Sequence, residues 1–398
     1  MTRQAAYDVV VLGVGAMGSA ACHHLARRGR RVLGIEHFGI AHARGSSHGV
    51  NRIIRLAYHE HESYVPLVRR AYELWRELEQ QSGAHLLHLT GSVDASTAED
   101  AIAAGALRVC TRFGIDHELY TGAELSLRFP GLQLPADHVA LYQPEGGFLA
   151  SERCIETHVR CARDAGAEIH EHERVLGWDV TSAGVRVRSD SDEYLADRLI
   201  VAAGAWLGEL VPGLASLARP ERQVLGWFDP IVPEHYAHGR FPVFNVAVEE
   251  GRFYGTPVFG VPGFKVGRYH HLGEQIETPD DWDREPNADD EAALREFVER
   301  YCPDAAGALL AAKTCMFTNT PDEHFIIDTL PAEPRVVVAS PCSGHGFKFS
   351  AVVGEILADL VTDGTTRHDI GLFRLSRFDR SAAPGGGGSY FQPPPSAR

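Results

Sequence analysis

Of the 38 basic residues in this chain, three are lysines: Lys265, Lys313 and Lys348. Where arginine is the rule, a lysine marks a place that needs a compact charge on a flexible stem, with a pKa that moves on burial. Lys348 closes the run Ser340–Pro341–Cys342–Ser343–Gly344–His345–Gly346–Phe347–Lys348–Phe349, which leads into an apolar helix pattern. Its glycines allow close backbone approach, and a helix N-terminus stabilises negative charge. Lys313 stands two residues before Cys315 in Lys313–Thr314–Cys315–Met316–Phe317. Cys315 reads either as an inert buried thiol, the usual fate of a free cysteine, or as a nucleophilic thiolate that Lys313 could help to favour. A third string, Gly45–Ser46–Ser47–His48–Gly49–Val50–Asn51–Arg52–Ile53–Ile54–Arg55, carries small polar donors into two arginines. Isoleucines between Arg52 and Arg55 imply partial burial, and a buried arginine needs an anion such as an amino-acid carboxylate.

A fourth motif, Gly13–Val14–Gly15–Ala16–Met17–Gly18, lies between the apolar run Tyr7–Leu12 and a helical stretch from Ala16 to Arg30. In that setting the glycines let backbone approach a pyrophosphate seated on the helix N-terminus. Glu36, at the end of the second strand Arg31–Glu36, is suited to accept hydrogen bonds from a ribose. This βαβ unit implies a parallel sheet and does not decide between NAD and FAD. A second buried strand runs Leu199–Ala203 into Gly204, Ala205 and Trp206; it reads equally as an ordinary strand end or as a close approach to a flat or anionic group.

The elements that must position these residues follow from periodicity. Helices are predicted over Ser63–Gln81, Ser151–Ala165 with Ser151 as N-cap, Asp289–Tyr301 and Phe349–Thr362. From about His85 to Ala150 the patterns shorten and turn signals multiply. Between Glu221 and His271, alternating aromatic and β-branched residues with Gly and Pro breaks have the texture of an antiparallel sheet. The tail 382–398, with four consecutive glycines and three consecutive prolines, is expected to be disordered.

Composition excludes several classes. The net charge of −15 repels phosphate backbones and anionic lipid, so neither nucleic acid nor membrane is an expected partner. The seven cysteines are odd in number and form no CxxC pair, which argues against a disulfide framework or a metal site and for a reducing cytoplasm.

Taken together, the five motifs resemble the monomeric sarcosine oxidase and N-methyltryptophan oxidase family from about Tyr7 to Arg377. GSSHGVNRIIR, CMFTNTPDEHFIID and SGHGFKFS carry the likeness. The resemblance implies an α/β (α+β) fold: a Rossmann-like, glutathione-reductase-like FAD domain with an inserted, mainly antiparallel substrate domain. The implied FAD domain is 1–85, 150–218 and 318–381, and the implied substrate domain 86–149 and 219–317. It further implies FAD tethered through its 8α-methyl carbon to Cys315, and a monomer. Arg55 and Lys348 would bind a substrate carboxylate, Lys265 would activate dioxygen, and Arg52 would lie close to the flavin. Tyr254 and His270 would border the amine, His271 remaining open because one extra residue follows Lys265. Gly13, Gly15, Ala16, Met17, Gly18, Glu36, Ser46, Ser47, His48, Val175, Ala203, Gly204 and Trp206 would contact the cofactor. So would Met316, Gly344, Gly346 and Phe347, with Gly344 also at the substrate. Phe317 departs from the family's tyrosine, which disfavours sarcosine itself and suits a bulkier or more apolar amine. The implied reaction turns a secondary amine of an N-methyl or cyclic amino acid into an imine, with hydrogen peroxide as coproduct. The rival readings are a flavin dehydrogenase with another acceptor, a biosynthetic tailoring oxidase and a non-catalytic flavin binder. An NAD dehydrogenase would leave Cys315 and the late Gly-rich loop without a role.

Overall fold

The computed structural model describes residues 7–378, so the expectation of a disordered tail over 382–398 lies outside the described residues. The apolar run Tyr7–Leu12 is the central strand of a five-strand parallel stack: Glu333–Ser340, Glu193–Val201, Tyr7–Leu12, Val32–Ile35 and Glu168–His170. Val9, Val10, Val11 and Leu12 are almost wholly buried because both faces of such a sheet are covered. On one face the helices Ala16–Arg27, Ser151–Asp164 and Ser350–Asp363 share a core with these strands. A Cβ on Gly354 would lie 2.5 Å from the Cβ of Ala20, so the first and last helices cross where only glycine fits. A hairpin, Val175–Thr181 and Gly184–Ser189, extends the sheet antiparallel to the first half of Glu193–Val201.

The second large sheet runs in the order Leu309–Asn319, Arg219–Phe228, Phe264–Arg268, Gly251–Thr256, Val243–Val248, Ser92–Thr97, His138–Gln143 and Glu118–Thr121. Every pairing is antiparallel except Val243–Val248 with Ser92–Thr97. Strand alternation decides what each face carries. Val224, Phe244, Phe253 and Val266 pack against Leu294, Phe297 and Val298 of the helix Ala288–Tyr301, and Phe253 stacks on Phe297 at 4.2 Å. Their strand neighbours Asn245, Tyr254, Lys265 and Cys315 face the opposite way, toward the first sheet. A small sheet of Asn51–Ile54, Gly147–Ala150 and Leu87–Leu89 lies at the junction.

Two local expectations need correcting. Ser151 is not the N-cap of its helix: Ala150 holds that place and the Ser151 hydroxyl binds Glu152 instead. The stretch read as short patterns also contains a full helix, Ala101–Phe113, capped by Asp100. Gly105 inside it lowers the apparent helix propensity, but a Cβ there would sit 3.0 Å from the His59 Cβ, so close packing sets that residue.

Candidate active site

One continuous cavity runs between the two large sheets, lined from Gly13 and Glu36 at one end to Arg55 and Lys348 at the other. Its outer end is built by the first βαβ turn. Gly13 has φ +83, and a Cβ on it would lie 2.8 Å from the Ala202 carbonyl; one on Gly18 would lie 1.8 Å from the Gly13 carbonyl. Gly18 therefore serves packing and does not line the cavity, contrary to the expected cofactor contact. Gly15 is different: a Cβ there meets nothing within 4 Å, because its open side faces the cavity. The helix beginning at Ala16 has no side-chain cap and no acid in its first turn, so its amides are available to an anion. Glu36 accepts from the amides of Val14 at 2.8 Å and Phe38 at 3.0 Å. A carboxylate accepting two bonds keeps lone pairs for a ribose diol. Met17, Ser46, Ser47, Val175, Ala203, Gly204 and Trp206 line the same end. A glycine cradle, an uncapped helix terminus and an oriented acid together fit the adenosine and pyrophosphate of FAD.

The middle of the cavity is cationic. Lys265 is 3% exposed, and its ammonium donates to the carbonyls of Gly49 at 2.8 Å and Asn51 at 2.9 Å and to Asn51 Oδ1 at 2.8 Å. Burial and the neighbouring Arg52 hold its pKa well below the ordinary lysine value, yet three acceptors match the three donors of an ammonium and no neutral amine could serve them all. Arg52 donates to the carbonyls of Asn51 and Ser46, both at 2.8 Å. Cys315, 3% exposed, lines the cavity beside these cations. Burial pushes its thiol pKa up, opposed by Arg52 and Lys265. Lys313 is exposed on its strand, so it is these two distant cations and not Lys313 that favour the thiolate. Met316 lines the cavity as expected.

At the inner end Arg55 is 3% exposed. It pairs with Glu60 at 2.8 Å and Asp94 at 3.4 Å and also donates to the Ala57 carbonyl. Burial opposes its charge, but Asp94 and Glu60 outweigh burial and raise its pKa. Lys348 contrasts with Lys265. It is equally buried, but its ammonium has a single acceptor, the His345 carbonyl at 2.8 Å, and sits 5.3 Å from the Tyr58 ring centre. Burial, then Arg55, lower its pKa to about 7. Among the described residues it has no second hydrogen-bond acceptor, and it lines the cavity, so a bound carboxylate would complete its shell. Tyr254, Phe317, Gly344, Gly346 and Phe347 line this end. Gly267 makes room for Tyr254, whose ring would lie 2.5 Å from a Cβ there, and Gly344, at φ +76, makes room for Phe317 at 2.6 Å.

Besides Gly18, two expected residues fall outside this lining. His48 is buried behind Arg52 and Lys265, whose burial and charge keep its ring neutral at a pKa of about 4. His270 does not line the cavity; it joins Glu221 at 3.1 Å to Glu323 at 3.2 Å. Burial works against its charge, but the two acids win and raise its pKa to about 9. Its ring centre is 6.4 Å from that of Phe317, so it braces the pocket wall from behind. His271 points elsewhere, to Asp290 at 2.8 Å. The residues that the sequence did not suggest are Glu60, Asp94, Asn245, Arg252 and Tyr269. Arg252 donates to Asn245 at 2.7 Å and lies 3.9 Å over the Tyr269 ring. Of these only Glu60, five residues after Arg55, lies close enough in sequence to a singled-out residue to have been found by spacing.

A dinucleotide cradle that continues without a break into a buried, cationic redox pocket defines a flavin-dependent oxidoreductase. The chain belongs to the FAD dependent oxidoreductase family, whose model matches residues 8–360, and within it to the amine oxidases. It is 42% identical to monomeric sarcosine oxidase of Streptomyces avermitilis over 388 residues, 95% of this chain and 99% of the relative. It is 35% identical to N-methyl-L-tryptophan oxidase of Salmonella enteritidis PT4 over 378 residues, 94% and 100% of the two chains. Among solved structures, NikD, an unusual amino acid oxidase essential for nikkomycin biosynthesis, superposes with TM-score 0.82 at 24% identity, covering 92% of this chain and 97% of that one. L-proline dehydrogenase from P. horikoshii gives 0.81 at 22%, covering 95% and 99%. At those identities the likeness speaks for the fold. The family and fold class expected from the five motifs are met.

Proposed function

We propose that this chain oxidises the secondary amine of a small N-methyl or cyclic amino acid, with FAD held by a thioether to Cys315 and dioxygen as acceptor. The products are an imine, which water opens, and hydrogen peroxide. One observation carries the reading: a single cavity runs from the uncapped helix terminus at Gly15, past Cys315 and Lys265, to Arg55 and Lys348. When bound, FAD supplies the two-electron acceptor for the substrate's C–H bond and hands those electrons to dioxygen.

The chain's own side chains account for the remaining chemistry. Gly15 and the Ala16 helix terminus bind the pyrophosphate, with Glu36 on the ribose. Arg55 and Lys348 orient the substrate through its carboxylate, turning a diffusional encounter into a fixed approach. Tyr254 and Phe317 wall the amine and exclude water. Arg52 and Lys265 hold positive charge where negative charge develops during electron transfer, a preorganised arrangement that costs no reorganisation. Cys315 is suited to the tether because two cations oppose the burial that would otherwise keep its proton on. Forming that thioether removes one hydrogen each from the thiol and the methyl carbon, with dioxygen as oxidant. His270 supports the wall as a brace and takes no proton from substrate. The seven cysteines, all free, suit a monomer working in a reducing cytosol, and among the described residues no helix is long and apolar enough to cross a membrane.

Acid precipitation of the purified protein tests the tether. A yellow pellet with flavin mass on the Cys315 peptide is expected, and Cys315→Ser should move the colour to the supernatant. Anaerobic sarcosine, N-methyltryptophan and pipecolate test the chemistry: at least one should bleach the flavin, and air should then give one peroxide per amine. A colourless wild-type pellet refutes the tether, and a flavin that neither these amines nor N-methyl-L-glutamate bleaches refutes amine oxidation. Reduction without peroxide would point to another electron acceptor.

A further inference from the structure

The inner end of the cavity holds one more cation than a simple amino-acid carboxylate needs. Arg252, from the strand Gly251–Thr256, lines the cavity beside Tyr254 and Tyr269. Its Nη2 reaches Glu60 Oε1 at 3.3 Å, and Arg55 Nη2 reaches the same oxygen at 2.8 Å. The two guanidinium groups are therefore side by side, joined through one carboxylate oxygen. Arg252 Nε is fixed by Asn245 Oδ1 at 2.7 Å, and Asn245 in turn donates to Asp94 at 3.0 Å. The Arg252 guanidinium carbon lies 3.9 Å from the centre of the Tyr269 ring, and that tyrosine is tied by its hydroxyl to the Gly344 carbonyl at 3.3 Å. Arg252 is thus held by Asn245, Tyr269 and Glu60, while its Nη1 has no hydrogen-bond partner among the described residues and its side chain keeps 23% exposure.

Charge points the same way. Arg55, Arg252 and Lys348 face the acids Glu60 and Asp94, leaving one positive charge in excess when Lys348 is protonated. His59 and His345 add none, because burial holds both rings neutral. Fixed guanidinium groups bind carboxylates through paired donors, and two of them side by side match two carboxylates a few carbons apart.

We propose that Arg252 reads a second carboxylate, so that the substrate class is an N-alkyl amino dicarboxylic acid, its α-carboxylate on Arg55 and Lys348 and its side-chain carboxylate on Arg252. This rests on the amine-oxidase reading above. Arg252 is then a specificity-determining residue, absent from the motifs that mark the family likeness.

The test compares kcat/KM of the holoenzyme for N-methyl-L-glutamate, its uncharged isostere N-methyl-L-glutamine, and sarcosine. The glutamate derivative should exceed the glutamine derivative by at least about tenfold, since a site built for a charged acceptor rejects the analogue that lacks it. Arg252→Leu should bring that ratio to about one, and Arg252→Lys should retain part of it. A wild-type ratio at or below one overturns the proposal. So does an Arg252→Leu enzyme in which both derivatives fall together and the ratio stands, because a merely structural arginine would do that. A wild-type enzyme that oxidises the glutamine derivative and sarcosine but not the glutamate derivative removes Arg252's role and leaves amine oxidation intact. One that oxidises none of the three sinks both.

Discussion

Replacing Lys348 by Met should make the protein more stable and the site worse, and both effects should follow pH in a way fixed by the lysine's surroundings. Lys348 is buried with one acceptor, and burial with Arg55 lowers its pKa from 10.5 to about 7. The folded chain therefore holds this proton less tightly than the unfolded chain does. The cost to folding is present in full below pH 7 and fades as pH rises toward the unfolded value. Converted at about 1.4 kcal/mol per pH unit, the shift corresponds to at most about 5 kcal/mol. Urea melts at pH 6 should show Lys348→Met more stable than wild type, with the gain shrinking to nothing near pH 10. Binding has the opposite sense. A carboxylate ligand supplies the acceptors that the ammonium lacks, so it pulls the proton back on. The inhibition constant of methylthioacetate, which has the carboxylate but no oxidisable amine, should be flat below pH 7 and weaken about tenfold per pH unit above it, so about 100-fold by pH 9. In Lys348→Met the constant should be weak and independent of pH over this range. A wild-type constant that stays level from pH 6.5 to 9 would refute the reasoning, because the group that receives the carboxylate would then not be a lysine whose charge fades above pH 7.

Lys265→Met should slow flavin reoxidation by dioxygen about 100-fold or more while changing anaerobic reduction far less; stopped-flow traces with equal losses in both halves would count against a role in oxygen activation. Gly15→Val and Gly18→Val should part company. The first enters open space on the cavity side, giving a folded protein by circular dichroism that no longer retains flavin, whereas the second drives a side chain into the Gly13 carbonyl and should yield insoluble protein. His270→Gln should destabilise the protein most at low pH: its folded pKa of about 9 lies above the unfolded one, so its contribution is complete below pH 6.5 and disappears above 9. Equal melting curves for this variant and wild type at pH 6 would remove the ion-pair brace.

What the sequence made legible was local. The βαβ turn, the two late strings and the paired arginines each keep their chemistry within about ten residues, so types and spacing carry the signal. The sites of Lys265 and Lys348 were legible through rarity, because arginine elsewhere made each lysine a choice. What escaped depends on strand register. Arg252 meets Tyr269 because Gly251–Thr256 pairs antiparallel with Phe264–Arg268, Phe253 opposite Arg268, and no local pattern announces that register. Asp94 meets Asn245 through the one parallel pairing in an otherwise antiparallel sheet. His270 was expected to border the amine because the family likeness places a histidine there. Its φ of +55 and that of His271, +29, turn the chain at that point, directing one ring to Glu221 and the other to Asp290. Lys313 looked useful for standing two residues from Cys315, yet the cations that bear on the thiol come from other strands.

The two buried lysines show how one residue type serves two electrostatic tasks in the same cavity. Lys265 meets three oxygens that arrive from the loop and strand at Gly49 and Asn51, and every donor it owns is spent on protein. Such a cation has no hydrogen bond to offer a ligand, but it keeps its charge whatever enters, which suits a group that must act on electrons already in the site. Lys348 meets one carbonyl and keeps two donors back. Its charge is conditional on an incoming anion, which suits a group that must tell an occupied site from an empty one. Exchanging these surroundings would give a site that binds nothing in particular and a redox centre whose field vanishes above pH 7, so the count of fixed acceptors around each ammonium, more than its depth of burial, divides the labour between them.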